Sequence, residues 1–155
     1  MNIGLIVYSQ TGNTKSVAVK LQKKLTAAGH LAVLEQITIT GKIPAQPGKF
    51  QLSKIPATDS HDAIIFGAPV QAFSLNPVMK AYMGQLSPLK GKKVALFVTK
   101  QIPILWLGGT GAIARMKREC ESRGATVIGT EIIAWAKAKR EQSINQSVEN
   151  LSKLF

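Results

Sequence analysis

The chain is poor in cysteine, in acidic residues and in long apolar runs, and each shortage limits what it can be. A single cysteine among 155 residues excludes an internal disulfide and suits a reducing compartment, so we expect the cytoplasm. No stretch reaches the roughly 18 consecutive apolar residues that a membrane-spanning helix needs. Met1 leads straight into an apolar segment without a basic region, so we expect no signal peptide. The length suits one domain over residues 1–155.

Acidic residues are so few that the chain is strongly basic. Twenty Lys and Arg face eight Asp and Glu, which gives a formal net charge of +12. Such a field attracts anionic partners, among them acidic proteins, nucleic acids, membrane surfaces and nucleotide cofactors. The basic residues are spread along the chain without interleaved aromatic residues, so we do not expect nucleic-acid binding. A generally solvated surface is the plainer interpretation of the same charge.

Metal sites and catalytic groups are not predicted. His30 and His61 are well separated and, with one cysteine, make no metal-ligand pattern. Cys120 lies on the apolar stripe of a predicted helix, where inert core packing is expected rather than redox chemistry. No Ser/His/Asp grouping and no pair of catalytic carboxylates stands out. We therefore predict neither a metal ligand nor a catalytic side chain.

Apolar runs alternate with amphipathic segments along the chain. Three runs are wholly apolar and are predicted to be buried strands: Ile3–Val7, Ala63–Phe66 and Val94–Val98. Two further strands are mixed in polarity: Leu31–Ile39 and Thr126–Ala134. Helices are predicted at Asn13–Ala28, Leu75–Leu86, Ala112–Arg123 and Ser143–Phe155, the last with a capping box of Ser143 and Gln146. This alternation predicts an α/β fold.

The polarity of the strands indicates their order. Strands inside a parallel sheet are covered by helices on both faces, and edge strands are covered less. A five-stranded parallel sheet of order 2-1-3-4-5 satisfies this pattern, as other orders also would. The segment Thr40–His61 interrupts the alternation, because it holds three prolines and two glycines. We expect a long surface connection there, with at most one short helical turn.

One polar loop lies between the first strand and the first helix: Ser9, Gln10, Thr11, Gly12, Asn13 and Thr14. Unpaired N–H groups and the helix dipole favour an anion at a helix N-terminus. Gly12 allows close approach of the backbone, and the neighbouring hydroxyl and amide groups can donate further hydrogen bonds. The loop lacks the lysine of a triphosphate-binding P-loop, so it suits one phosphate monoester. The alternative is a polar helix cap without a ligand.

Together with Tyr8, this loop resembles the FMN-phosphate loop of the flavodoxin family. The segment Phe66–Phe73 resembles the second flavin loop of the same family, and Asn76–Tyr82 is closer to its quinone-reductase branch. The resemblance covers essentially the whole chain. It implies a flavodoxin-like three-layer sandwich with sheet order 2-1-3-4-5 and a non-covalent FMN as cofactor.

The resemblance also implies which residues meet the flavin ring. In the second loop these are Pro69, Val70, Gln71, Ala72 and Phe73. Their backbone groups would contact the ring, and the Phe73 side chain would stack on it. Alternatively, Phe73 packs as a hydrophobic staple on the helix that follows.

The third loop, from Thr99 to Gly109, departs from the family pattern, which usually places a tyrosine and several acidic residues here. Thr99, Lys100 and Gln101 can hydrogen-bond the pyrimidine edge of a flavin, Trp106 can flank the ring, and Gly108 is a further candidate cofactor-binding residue. Alternatively, residues 102–107 form a hydrophobic lid or a contact between subunits. None of the three loops contains Asp or Glu.

The sequence thus predicts an FMN-binding redox protein of the flavodoxin type. Its short length favours an electron carrier, whereas its basic charge is unusual for one and leaves open an NAD(P)H-dependent quinone or flavin reductase. A non-redox module that binds another phosphate ligand is a separate alternative, as is a protein drawn to nucleic acid or membrane by its charge. We expect redox partners with acidic docking surfaces and no insertion into membranes.

Overall fold

The computed structural model describes residues 1–43, 45–101, 108–135 and 137–155. The strands are Asn2–Val7 (β1), Leu31–Gln36 (β2), Thr38–Gly41 (β3), Phe50–Lys54 (β4), Ala63–Gln71 (β5), Ser74–Leu75 (β6), Lys93–Lys100 (β7) and Thr126–Ala134 (β8). The α-helices are Asn13–Ala27 (α1), Pro77–Met83 (α2), Gly109–Glu121 (α3) and Arg140–Ser152 (α4).

The main sheet has the order β2-β1-β5-β7-β8, and each of these neighbouring pairs is parallel. Counted as the five principal strands in chain order, this is the predicted order 2-1-3-4-5. The three central strands are almost wholly buried, whereas β2 and β8 at the edges are only partly covered. The predicted α/β sandwich and its order are therefore confirmed.

Two apolar cores lie on opposite faces of the sheet, because side chains alternate along each central strand. Ile6 and Leu96 belong to the core beneath α2 and α3. Leu5 and Phe97 belong to the core beneath α1 and α4. The result is the expected sandwich of three layers, with the carboxyl ends of the strands at one edge.

The connection between β2 and β5 contains two strands where we expected an irregular surface connection with at most one short helical turn. Its strands β3 and β4 pair antiparallel and form a small separate sheet. The β-branched residues of Thr38–Thr40 favour strand over helix, and the turn-forming residues Pro47 and Gly48 lie between β3 and β4. The Tyr82 hydroxyl donates a 2.6 Å hydrogen bond to the carbonyl oxygen of Pro56 and so fixes the connection to α2.

Three predicted helix starts were wrong. The helix α2 begins at Pro77, because the buried Asn76 is its N-cap and accepts a hydrogen bond from the Val78 N–H. The helix α3 begins at Gly109, three residues earlier than expected. The helix α4 begins at Arg140, so the Ser143–Gln146 capping box does not exist, and the Gln146 amide donates to Asn150 instead.

One glycine sets the packing of the central strands where the second loop begins. Gly67 of β5 lies opposite Phe97 of β7 in the parallel register. A Cβ atom on Gly67 would lie 2.2 Å from Cζ of the Phe97 ring. The ring therefore occupies the space that any other residue at position 67 would need.

We expect Gly67→Ala to destabilise the protein by about 1–3 kcal/mol, because the added methyl group displaces a buried ring. Urea unfolding measures the change. The matched control is Gly111→Ala in α3, where a Cβ atom meets nothing within 4 Å and stability should not fall. The double variant Gly67→Ala/Phe97→Leu should recover part of the loss. An unchanged unfolding midpoint for Gly67→Ala would contradict this account of the packing.

Candidate cofactor site

Residues from all three predicted loops meet at the carboxyl edge of the sheet. They line one narrow cavity of about 30 Å³. The lining residues are Gln10, Thr11, Asn13, Thr14, Pro69, Val70, Thr99, Lys100 and Gln101. Segments that are far apart in sequence are thus adjacent because β1, β5 and β7 are neighbours in the sheet.

The first loop turns into α1 through Gly12. This residue is the N-cap of the helix and has a φ of +94°, a value that favours glycine. A Cβ atom on Gly12 would meet nothing within 4 Å, so the backbone angle and not crowding requires glycine here. The N–H groups of Asn13 and Thr14 lie in the first turn, where a helix supplies no acceptor of its own. They are available to an anion.

Two hydroxyl groups of the first loop already have partners. The Ser9 Oγ accepts a hydrogen bond of 3.1 Å from the Lys15 N–H in the first turn of α1. The buried hydroxyls of Thr14 and Thr99 share a hydrogen bond of 2.9 Å. This bond joins the start of α1 to the end of β7. The Ser9 hydroxyl keeps its own proton for donation to a ligand, since it acts as an acceptor in this bond.

The second loop is a tight hairpin with unusual backbone angles. Ala72 and Phe73 form the two-residue link between β5 and β6, and both have positive φ, +49° and +62°. Hairpins of this kind normally use Asn-Gly or Gly residues, since L side chains are strained there. The Phe73 ring is 61% exposed, so it does not pack as a buried staple. Phe73 lines a neighbouring groove, and neither residue of the link lines the narrow cavity.

Gln71 braces the second loop through its side chain. Its Nε2 donates to the carbonyl oxygen of Ala45 at 2.6 Å, and its Oε1 accepts from Nδ2 of Asn76 at 2.8 Å. Asn76 also caps α2, so one buried side chain joins the hairpin to the helix that follows it. Sequence reasoning missed this role of Asn76, although an asparagine directly before Pro77 is a helix-start signal.

The third loop begins with two buried residues, Thr99 and Lys100. The Lys100 side chain is only 4% exposed, and burial lowers the pKa of its ammonium group below the usual value. Its Cδ lies 3.4 Å from the position of a Cβ on Gly109, so the aliphatic part of Lys100 runs beside the start of α3. Gln101 lines the cavity from an exposed position. Trp106, and with it the alternatives for residues 102–107, lies outside the described residues.

Gly108, the last of the predicted cofactor-binding residues, lies where the third loop meets the second. It is the N-cap of α3 with a φ of +88°, and it does not line the narrow cavity. A Cβ atom at this position would lie 2.7–2.8 Å from backbone atoms of Phe73. Gly108 therefore allows the third loop to pack against the strained hairpin of the second.

The groups around the cavity fit a phosphate ester. They comprise helix-start amides, hydroxyls, side-chain amides and the Lys100 ammonium, and no Asp or Glu is among the lining residues. An anion is favoured by such donors and by the helix dipole. Within the described residues, no group of three or more His, Cys, Asp or Glu could hold a metal ion, and no helix is long and apolar enough to cross a membrane.

Comparison with known proteins identifies the family. No family model matches the chain. A flavodoxin from Megasphaera elsdenii is 31% identical over 134 residues, which cover 84% of this chain and 85% of the relative. The chain belongs to the flavodoxin family.

Solved flavodoxin structures agree with this assignment. The solution structure of two-electron reduced Megasphaera elsdenii flavodoxin has a TM-score of 0.66 at 26% identity, and the match covers 96% of this chain and 98% of that one. Oxidised flavodoxin 2 from Bacillus cereus has a TM-score of 0.72 at 19% identity, with full coverage of both chains. A Lactobacillus acidophilus flavoprotein in complex with FMN has a TM-score of 0.64 at 17% identity, covering 94% of this chain and 97% of that one. The last two show the fold alone.

Flavodoxins transfer electrons through a bound FMN, and this is the function of the chain. The cofactor and the electron-transfer function expected from the resemblance are confirmed. The reductase and the non-redox module are not favoured by these relatives.

We expect Phe73→Gly to stabilise the flavin-free flavodoxin by about 1 kcal/mol, because glycine adopts the positive φ of the hairpin without strain. The matched control is Phe73→Ala, which removes the same exposed ring but keeps the strain, and it should give no such gain. Urea unfolding of the apoprotein measures both. Equal effects of the two substitutions would show that the hairpin is not strained.

Proposed function

We propose that this flavodoxin holds the FMN phosphate in the loop Ser9–Thr14 and the flavin ring between residues 69–73 and 99–101. The observation that supports this best is the single cavity shared by these loops at the carboxyl edge of the sheet. FMN supplies reversible uptake of electrons. The residues of the chain bind the cofactor, orient it and set the charge around it.

In the phosphate site, the N–H groups of the first helical turn and the hydroxyls of Ser9 and Thr11 are the donors. Gly12 turns the backbone into the helix at its positive φ. The Thr14–Thr99 bond holds this turn against the end of β7, so the amides need little rearrangement when the phosphate arrives. Pre-arranged donors of this kind favour a dianionic phosphate over a neutral hydroxyl group.

We expect FMN to bind more tightly than riboflavin, and Gly12→Val to weaken FMN binding about tenfold or more, because a β-branched residue at a φ of +94° costs roughly 1–3 kcal/mol. Titration of apoprotein with each flavin, followed by flavin fluorescence, measures both affinities. Gly48→Val is the matched control, since Gly48 also has a positive φ and open space but lies between β3 and β4. Riboflavin binding as tight as FMN binding would refute the phosphate role of this loop.

Lys100 is the ionisable side chain among the residues lining the cavity, and we propose that it sets the reduction potential of the flavin. A reduced flavin carries more negative charge than an oxidised one. A nearby ammonium group stabilises that charge, and burial weakens screening by water and salt. A flavodoxin with this lysine and no acid in its loops should have a higher potential for its final one-electron step than flavodoxins with acidic loops.

We expect Lys100→Met to lower the potential of the final one-electron step, with about 59 mV corresponding to a stabilisation of about 1.4 kcal/mol. Redox titration at low salt measures it. Lys93→Met is the matched control, because Lys93 lies on the same strand at its opposite end and is exposed. If both variants keep the parent potential, Lys100 does not tune the flavin.

We further propose that this flavodoxin works in the cytoplasm with acidic redox partners. A net charge of +12 favours negatively charged docking surfaces, and its effect on association should decline as salt is added. One buried cysteine suits a reducing compartment.

A further inference from the structure

A groove of about 220 Å³ lies beside the second loop, on the side of α2 and α3. We call it the basic groove. Its lining residues are Phe73, Ser74, Leu75, Lys80, Gly111, Arg115 and Arg118. It combines an exposed aromatic ring with three cationic side chains, and no acidic residue lines it.

The positive charge of the basic groove is only partly compensated. Arg115 lies 3.4 Å from Glu119, but the same carboxylate also pairs with Arg123 at 2.8 Å. The hydrogen bond from Arg123 is the main reason why the pKa of Glu119 is lowered. Among the described residues, Lys80 and Arg118 have no carboxylate within 4 Å. Two exposed cations therefore remain available to a partner.

Another lysine-rich groove, between α1 and α4, is different. It contains Lys20, Lys23 and Lys24, of which Lys20 pairs with Glu141 at 3.1 Å and Lys24 pairs with Glu149 at 2.6 Å. Two of its three lysines are thus paired with carboxylates of the chain itself. It is also lined by none of the residues that form the narrow cavity.

The basic groove adjoins the proposed flavin site through one element. Phe73 lines the groove, and it belongs to the hairpin whose preceding residues, Pro69 and Val70, line the narrow cavity. The chain holds Phe73 61% exposed at a strained backbone angle, with Gly108 packed beneath it. Exposed aromatic rings next to arginines are typical anchors of protein interfaces.

We propose that the basic groove is the docking site of an acidic redox protein. The ring of Phe73 is the apolar anchor, and Lys80, Arg115 and Arg118 receive carboxylates of the partner. This inference rests on the proposed acidic partner and adds where that partner binds. A protein seated there lies against the same hairpin as the flavin, which shortens the path of an electron between them.

The test uses the FMN-loaded full chain and an acidic [2Fe–2S] ferredoxin as probe, with binding measured by calorimetry at low salt. We expect the double variant Lys80→Glu/Arg118→Glu to weaken binding about tenfold or more. The control Lys20→Glu/Lys23→Glu makes the same change in net charge on the α1–α4 side and should weaken it less than about threefold. The flavin absorbance spectrum of each variant checks that the fold and cofactor are retained.

The possible failures are distinguishable. If the parent protein does not bind the ferredoxin, or binds a basic c-type cytochrome more tightly, the acidic partner itself is refuted. If both charge-reversal variants weaken binding equally, the general field attracts the probe and the basic groove is not its docking site. If a DNA duplex or vesicles with anionic lipid bind more tightly than ferredoxin and lose this binding in the groove variant, the groove serves another class of partner and the proposal is overturned.

Discussion

Burial of the central strands on both faces is the constraint on which the rest of this flavodoxin depends. The strands β1, β5 and β7 are apolar along most of their length and must be covered by helices on either side. Parallel strands covered in this way end at one common edge, so the loops that follow them are brought together. The polar groups of the chain that can hold a phosphate and a flavin are placed there by the packing of apolar residues some distance away.

Close approach of the backbone at a few positions then shapes the site. Gly67 has no side chain and so leaves room for the Phe97 ring. Gly108 likewise allows the third loop to lie against the second. Gly12 allows the abrupt entry into α1. The link Ala72–Phe73 has positive φ angles but contains no glycine, so its backbone is strained. Strain of this kind is found at functional sites, where it lowers local stability. The same hairpin borders both the narrow cavity and the basic groove, so one loop joins the proposed cofactor site to the proposed docking site.

Much of this architecture could be predicted from the sequence, because the apolar runs specify the central strands and polar loops at their ends specify the site. The contacts that the sequence did not predict join residues far apart in the chain, or form only when several other residues are already in place. The bond between Thr14 and Thr99 joins residues that only the fold brings together. The role of Asn76 depends on Gln71, which is correctly placed only once the hairpin exists. The pattern at Ser143 fitted a helix start, but the helix begins earlier, at Arg140, since a local capping signal does not exclude another start.

The strongly basic surface and the conventional fold are independent properties. The fold brings the three loops together, whereas the charge is proposed to act on the flavin through Lys100 and on a partner through residues such as Arg118. The most direct test of the central claim is a titration of the isotope-labelled apoprotein with FMN, followed residue by residue through its amide NMR signals. The account predicts the largest changes at residues 9–14, 69–73 and 99–101, with little change in the α1–α4 groove. Changes concentrated in that groove, with the three loops unaffected, would contradict it.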